Sequence, residues 1–150
     1  MKQISITKPV NVMQTCSKSY LKDLTYQITG ACIEVHKLIG PGLFESVYHK
    51  CLKRELELRG IRFESEFRVP VHYKGEDIDT DLRCDLLIEQ VLAVEVKAVE
   101  SLLPVHEAQI ITYMNLLHVP KGIIINFNVT NLYREGQKTF VNEMFRNLPD

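Results

Sequence analysis

The sequence predicts an α/β domain with a mixed central β-sheet flanked by helices. Three observations lead to this prediction. Two segments in the first half have the apolar period of amphipathic helices, the middle changes to the two-residue period of strands, and a further helix separates two strongly apolar strands. Elements in this order pack as a sheet that is covered by helices.

The two early helices are predicted from their apolar stripes and from the glycines that end them. Apolar residues repeat at helical spacing over residues 24–39, and Gly40-Pro41-Gly42 then stops the helix, because proline cannot continue the hydrogen-bond ladder. A second helix is predicted over residues 44–59. Glu45 lies at the edge of its apolar stripe, since Tyr48 at i+3 belongs to that stripe.

The later elements follow from a change of period and from β-branched composition. Alternation over residues 63–73 predicts one long strand with a wet face, and a valine-rich run predicts a central strand. We predict a turn over residues 74–77 and two strands over residues 81–88 and 91–99. A helix over residues 105–117, a buried strand over residues 122–127 and an edge strand over residues 139–141 follow.

Length and composition predict one globular domain. The 150 residues are 45% hydrophobic and 25% charged, which is typical of a folded chain with its own core. We expect an N-terminal arm over residues 1–19, a domain over residues 20–142 and a frayed C-terminal tail over residues 143–150.

Charge and cysteine usage limit the partners and the compartment. A net charge of -1 excludes a strong overall basic field, so any nucleic-acid binding must be local. Four scattered cysteines without a C-x-x-C pair favour a reducing compartment. Because the N-terminus has no apolar leader and no apolar run is long enough to span a bilayer, we expect a cytoplasmic protein without a membrane partner.

Two charged residues interrupt the central strand. Glu95 and Lys97 stand in an otherwise apolar run, and burying them unpaired would cost several kcal/mol. Because side chains alternate along a strand, both point to one face, about 7 Å apart along the backbone. They can therefore serve one site.

The preceding strand carries a second carboxylate. Asp85 and Glu95 are ten residues apart, and an even separation in a hairpin requires an odd-numbered loop or a bulge if the two are to share a face. A three-residue connection over residues 89–91 would place them opposite each other. Two adjacent carboxylates repel unless a cation lies between them, and hard oxygen ligands suit Mg²⁺ or Mn²⁺.

The motifs resemble those of a known superfamily. Asp85 followed by Glu95-Val96-Lys97 is similar to the D…(D/E)-x-K motif of the PD-(D/E)XK nucleases, and residues 42–48, Gly-Leu-Phe-Glu-Ser-Val-Tyr, read as the G-x-x-E-x-x-Y motif. The chain is thereby identified as a member of the GxxExxY proteins of that superfamily. The resemblance, which runs from about residue 26 to residue 127, implies a restriction-endonuclease-like core.

The resemblance also implies roles for individual residues. Glu45, Asp85 and Glu95, with the carbonyl of Val96, would bind Mg²⁺ or Mn²⁺, and Lys97 would orient water and offset developing charge. Gln109 and Tyr113 resemble a Q-x-x-x-Y element that positions substrate, and i, i+4 spacing places them on one helical face. The implied activity is metal-dependent hydrolysis of phosphodiester bonds in nucleic acid, with DNA favoured over RNA.

Plainer interpretations stay open for each of these residues. Glu45 would also be favourable as a helix-start carboxylate, Glu95 and Lys97 would also make a structural ion pair, and Gln109 with Tyr113 would also pack as ordinary helix residues. The alternative function is a catalytically inactive nuclease-like module that binds a partner or regulates one. Internal or terminal cutting and a homodimeric or monomeric state are equally open.

Overall fold

A computed structural model describes residues 16–150, which form a five-stranded sheet between two helical layers. The elements are α1 (Lys18–Ile39), α2 (Glu45–Leu58), β1 (Phe63–Arg68), β2 (Val71–Tyr73), β3 (Glu76–Ile78), β4 (Arg83–Ile88), β5 (Leu92–Lys97), α3 (Pro104–Leu117), β6 (Lys121–Asn126), α4 (Leu132–Glu135), β7 (Gln137–Val141) and α5 (Glu143–Arg146). The predicted α/β class is confirmed.

The sheet is mixed, as predicted. Its strand order is β1-β4-β5-β6-β7, in which only the β5–β6 pair is parallel. A parallel pair needs a crossover, and α3 provides it between β5 and β6. The β7 strand lies at one edge, where the apolar pattern predicted an edge strand.

Each face of the sheet buries its own core. One core joins α1 and α2 to the sheet and includes Tyr48, Val94 and Phe127, whereas the other joins α3 to the opposite face and includes Met114. Gly122 permits the close approach of α3 to β6, because a Cβ there would lie 2.7 Å from the Met114 sulfur. The β5 strand is buried between both layers, which explains its almost unbroken apolar run.

The prediction of one long strand over residues 63–73 is wrong. The strand breaks after Arg68, and β2 pairs with β3 in a separate two-stranded sheet. Pro70 explains the break, since proline has no N–H with which to continue a ladder.

The structure describes part of the predicted arm and all of the predicted tail. Residues 1–15 of the predicted arm lie outside the described part of the chain, while residues 18 and 19 already belong to α1. Within the predicted tail, α5 forms a short helix, and Phe145 and Leu148 pack against the core that joins α1 and α2 to the sheet. No helix within residues 16–150 is long and apolar enough to cross a membrane.

Candidate metal and nuclease site

The β4–β5 hairpin has the three-residue connection that the spacing required. Leu86 pairs with Val94 and Ile88 pairs with Leu92, which leaves residues 89–91 as the loop. Glu89 and Gln90 both adopt positive φ angles, of 49° and 62°, and so reverse the chain. The next positions outward along the hairpin are Asp85 and Glu95, so the even spacing places the two carboxylates together, as predicted.

Asp85 and Glu95 are held together by two hydrogen bonds that replace the ladder beyond Leu86. The Asp85 N–H donates to Glu95 Oε2 at 2.8 Å, and the Val96 N–H donates to Asp85 Oδ2, also at 2.8 Å. Each carboxylate therefore satisfies a backbone donor of the opposite strand. Because both strands are anchored in the sheet core, the two carboxylates have little freedom to separate.

The electrostatics of this pair favour one retained proton. The Glu95 side chain is only 4% exposed, and burial together with the negative charge of Asp85 raises its pKa to about 8. Backbone hydrogen bonding and the charge of Lys97 act in the opposite direction but are smaller. At neutral pH Glu95 consequently keeps its proton.

Tyr113, on α3, is close to this pair. Tyr113 is 5% exposed, and its pKa is raised by burial and then by the charge of Glu95. The Gln109 side chain lowers the pKa of Tyr113, as expected for i, i+4 neighbours on one helical face. Lys97, on the same strand face as Glu95, is partly buried and near enough for its charge to act on the carboxylate. These residues therefore share the α3 side of the sheet.

Glu45 stands apart from the carboxylate pair. It is the first residue of α2, its side chain is exposed, and no contact joins it to Asp85 or Glu95. The described part of the chain contains no group of three or more His, Cys, Asp or Glu side chains positioned to hold a metal ion. The structure thus brings together two of the three predicted acidic residues.

The helix that carries Glu45 nevertheless begins at the correct end of the sheet. Tyr48, one turn further along α2, stacks on Phe127 with ring centroids 4.6 Å apart. The Phe127 N–H donates to the Lys97 carbonyl at 2.9 Å, so the start of α2 lies at the end of β5 that carries Lys97. Glu45 is therefore at the same end of the sheet as the lysine, on the opposite helical layer.

Tyr48 explains why a tyrosine closes the G-x-x-E-x-x-Y motif. Its fully buried hydroxyl accepts from the Leu43 N–H at 3.1 Å and donates to the Gly40 carbonyl at 2.6 Å. The ring thus anchors the Gly40-Pro41-Gly42 turn, in which Gly40 and Gly42 both have positive φ. The motif tyrosine positions the loop that leads into Glu45.

Asn126 holds the chain that follows Lys97, a role that the sequence did not predict. It is buried opposite Lys97 in the parallel pair, where its Oδ1 accepts from the Val99 N–H at 3.1 Å and its Nδ2 donates to the Val99 carbonyl at 2.9 Å. These bonds fix the chain immediately after Lys97. The signal for this role in the sequence was a polar residue at the end of an apolar strand.

The donor chemistry at Asp85 and Glu95 suits a hard divalent cation. Two adjacent carboxyl groups, of which Glu95 has a raised pKa, form a site in which a cation can replace the Glu95 proton. Oxygen donors of this kind favour Mg²⁺ or Mn²⁺ over zinc.

Comparison with known proteins agrees with the fold. A family model of the PD-(D/E)XK nuclease superfamily matches residues 22–140, and the chain belongs to that superfamily. The matched segment includes every site residue discussed above. No curated protein and no solved structure gives a significant match.

Proposed function

We propose that this protein is a metal-dependent nuclease that hydrolyses phosphodiester bonds, with DNA as the favoured substrate. The observation that carries the proposal is the buried Asp85–Glu95 pair, cross-linked through the backbone, with Lys97 on the same strand face. Superfamily membership supports nuclease chemistry in general. Burying two neighbouring carboxyl groups costs free energy, and such costly arrangements are typical of functional sites.

Asp85, Glu95 and the carbonyl of Val96 would hold Mg²⁺ or Mn²⁺, and Glu45 would complete the ligand set. The bound cation would polarise a phosphoryl oxygen and lower the pKa of a water ligand. Glu45 supports this role by its position at the Lys97 end of the sheet, although substrate or metal would have to draw it toward the pair. Its exposure leaves it free to move.

Lys97, Gln109 and Tyr113 would act on the substrate. The Lys97 ammonium would orient the attacking water and offset the charge that develops on the phosphate. Gln109 and Tyr113 would position the nucleic-acid strand, since i, i+4 spacing places them on one face of α3 and Tyr113 is close enough to Glu95 for its pKa to be raised by that charge.

Several finer assignments belong to the same proposal. We place the chain among the GxxExxY proteins, with a nuclease domain over residues 20–142 that acts in the cytoplasm. A homodimer is one assembly that we propose to test by sedimentation, because β1 and β7 are the outer strands of the sheet formed by residues 16–150.

The direct test is cleavage of labelled DNA and RNA in Mg²⁺ or Mn²⁺. Asp85→Asn and Lys97→Ala should each reduce cleavage by at least about 100-fold, because Asp85 would hold the cation and Lys97 would offset the charge that develops on the phosphate. Asp79→Asn and Lys50→Ala, at exposed positions elsewhere, are the matched controls and should retain activity. Activity that survives both site substitutions would contradict the mechanism.

The second candidate function is a nuclease-like module without catalytic activity. The separation of Glu45 from the carboxylate pair and the net charge of -1 favour it. Calorimetry with Mn²⁺ distinguishes the two candidates. Binding that Glu95→Ala abolishes supports the nuclease, whereas no binding by a folded protein supports the module.

A further inference from the structure

Three lysines line a pocket of about 400 Å³ that is separate from the carboxylate pair. Its walls are formed by Lys18, Ser19, Lys22, Lys121, Phe145 and Asp150. Lys121 begins β6 and pairs with Leu92, whereas Lys97 pairs with Asn126 at the other end of the same two strands. The pocket therefore lies at the opposite end of the sheet from Lys97.

Hydrogen bonds hold the walls of this lysine pocket in place. The Lys18 N–H donates to the Pro149 carbonyl at 2.8 Å, which joins the start of α1 to the C-terminal segment. Asn142 caps α5 by accepting from the Phe145 N–H, and its Nδ2 donates to the Val119 carbonyl at 2.9 Å, just before β6. The pocket is thus built from three segments that are distant in sequence.

The positive charge in the lysine pocket exceeds the negative charge. The ammonium groups of Lys18 and Lys121 each lie 5.9 Å from the centroid of the Phe145 ring, and Lys22 is one turn from Lys18 on α1. Among residues 16–150, the counter-charge in the pocket is Asp150, whose carboxylate is 3.9 Å from Lys18 and fully exposed. Such an exposed pair contributes little.

Lys121 carries a desolvation cost. It is partly buried, its burial lowers the pKa of the ammonium group, and none of the ion pairs among the described residues includes it. Lys121 therefore lines the same pocket as Lys18 and Lys22 without an ion-pair partner among the described residues.

The start of α1 adds to the positive potential. Ser17 caps the helix, and no acidic side chain lies in the first turn to balance the positive end of the helix dipole. Residues 1–15 contain no Asp or Glu, so the preceding segment has no carboxylate to contribute.

We propose that the lysine pocket binds a phosphate-bearing anion. Phosphate offers several acceptor oxygens and up to two negative charges, so it can accept from three ammonium groups at once and relieve their repulsion. The volume accommodates a phosphate with an attached sugar or nucleoside. The ligand is either a free nucleotide or the terminal phosphate of a nucleic acid, which share this chemistry.

Titration of the ¹⁵N-labelled full chain with inorganic phosphate tests the proposal. Amide shifts should occur at residues 18–22 and 121 and should exceed those caused by chloride at equal ionic strength. Lys121→Met, which keeps an apolar stem of similar length, and Lys22→Gln should each weaken binding about tenfold or more, the loss of one charge-assisted hydrogen bond. Lys50→Gln, an exposed lysine on α2, should leave the affinity unchanged.

Thermal unfolding gives a second readout for Lys121. Without phosphate, Lys121→Met should unfold at or above the wild-type temperature, because it removes a desolvated charge, and phosphate should no longer raise that temperature. If Lys121→Met fails to fold, Lys22→Gln decides the question at an exposed position. Phosphate effects no larger than those of chloride, or equal losses in Lys50→Gln, would overturn the proposal.

The source of the phosphate is distinguished by three probes. Adenosine monophosphate, a 5′-phosphorylated oligonucleotide and the same oligonucleotide without the phosphate are compared. Binding of the monophosphate at least as tightly as the phosphorylated strand indicates a nucleotide site, whereas preference for the phosphorylated strand indicates strand-end recognition. Asp85→Asn should bind phosphate normally, so loss of nuclease activity and loss of this site can be separated.

Discussion

Metal binding at the Asp85–Glu95 pair should release a proton. The quantity to vary is the pH, because Glu95 holds a proton that a divalent cation must displace in order to bind. The proton is held by burial of Glu95 and by the adjacent negative charge of Asp85, and both causes disappear when a cation supplies the compensating charge.

The size of the effect follows from the raised pKa. With the pKa of Glu95 at about 8, the carboxyl is about 90% protonated at pH 7, so nearly one proton leaves for each ion bound. The apparent association constant should rise about tenfold per pH unit below pH 8, which corresponds to about 1.4 kcal/mol per unit, and should level off above it.

Isothermal titration of Mn²⁺ in two buffers with different ionisation enthalpies measures the released protons directly. Glu95→Gln should abolish both the proton release and most of the affinity. Glu45→Gln should weaken binding, if Glu45 is a ligand, without changing the proton count, because the displaced proton belongs to the other two carboxyls.

A single result would refute this reasoning. If Mn²⁺ binds at pH 7 with the same affinity as at pH 8.5 and without buffer-dependent heat, the Asp85–Glu95 pair is fully ionised before the ion arrives. Binding that persists in Glu95→Gln would place the ion elsewhere.

Three further predictions concern stability and substrate contact. Because the pKa of Glu95 is raised in the folded state, the stability that its protonated carboxyl contributes is complete below about pH 4.5 and is lost as pH rises through about 8. Urea unfolding of metal-free protein should therefore show Glu95→Gln more stable than wild type by about 2–4 kcal/mol at pH 9. Equal free energies of unfolding for the two proteins would contradict the raised pKa. Tyr48→Phe leaves the Gly40 carbonyl without its buried partner and should lower the free energy of unfolding by about 1–3 kcal/mol, a loss that a negligible change in urea midpoint would exclude. Phe44, which is 82% exposed and precedes Glu45, should stack on nucleic-acid bases. Since the chain has no tryptophan, Phe44→Trp fluorescence should be quenched by single-stranded DNA, while Tyr26→Trp, at an 80% exposed position on α1, should not respond.

Much of the fold was predictable because local periodicity follows which face of an element is buried. The helical period over residues 24–39 and the apolar run of β5 both reflect burial against a neighbouring layer. The long strand over residues 63–73 failed as a prediction, since alternation continued across Pro70 while the hydrogen-bond ladder could not. The alternation of apolar residues shows which side chains are buried, but strand pairing also requires backbone N–H donors.

The candidate site was predictable in part for the same reason. Charged residues in a buried strand, and an even spacing of ten residues to Asp85, were sufficient to infer a hairpin that joins two carboxylates. The sequence could not indicate where Glu45 would lie relative to them, because that depends on how α2 packs across the sheet. Asn126 was missed because its role depends on Val99, which only the folded loop brings near.

Local chemistry, then, was readable from the order of residues: which segments are helices or strands, and which strand carries charge. The tertiary structure alone decided the raised pKa of Glu95 and the approach of both Lys18 and Lys121 to the Phe145 ring. Both depend on desolvation and on distances between groups far apart in sequence. Those quantities arise from packing of whole layers, whereas periodicity depends only on the nearest turn or strand.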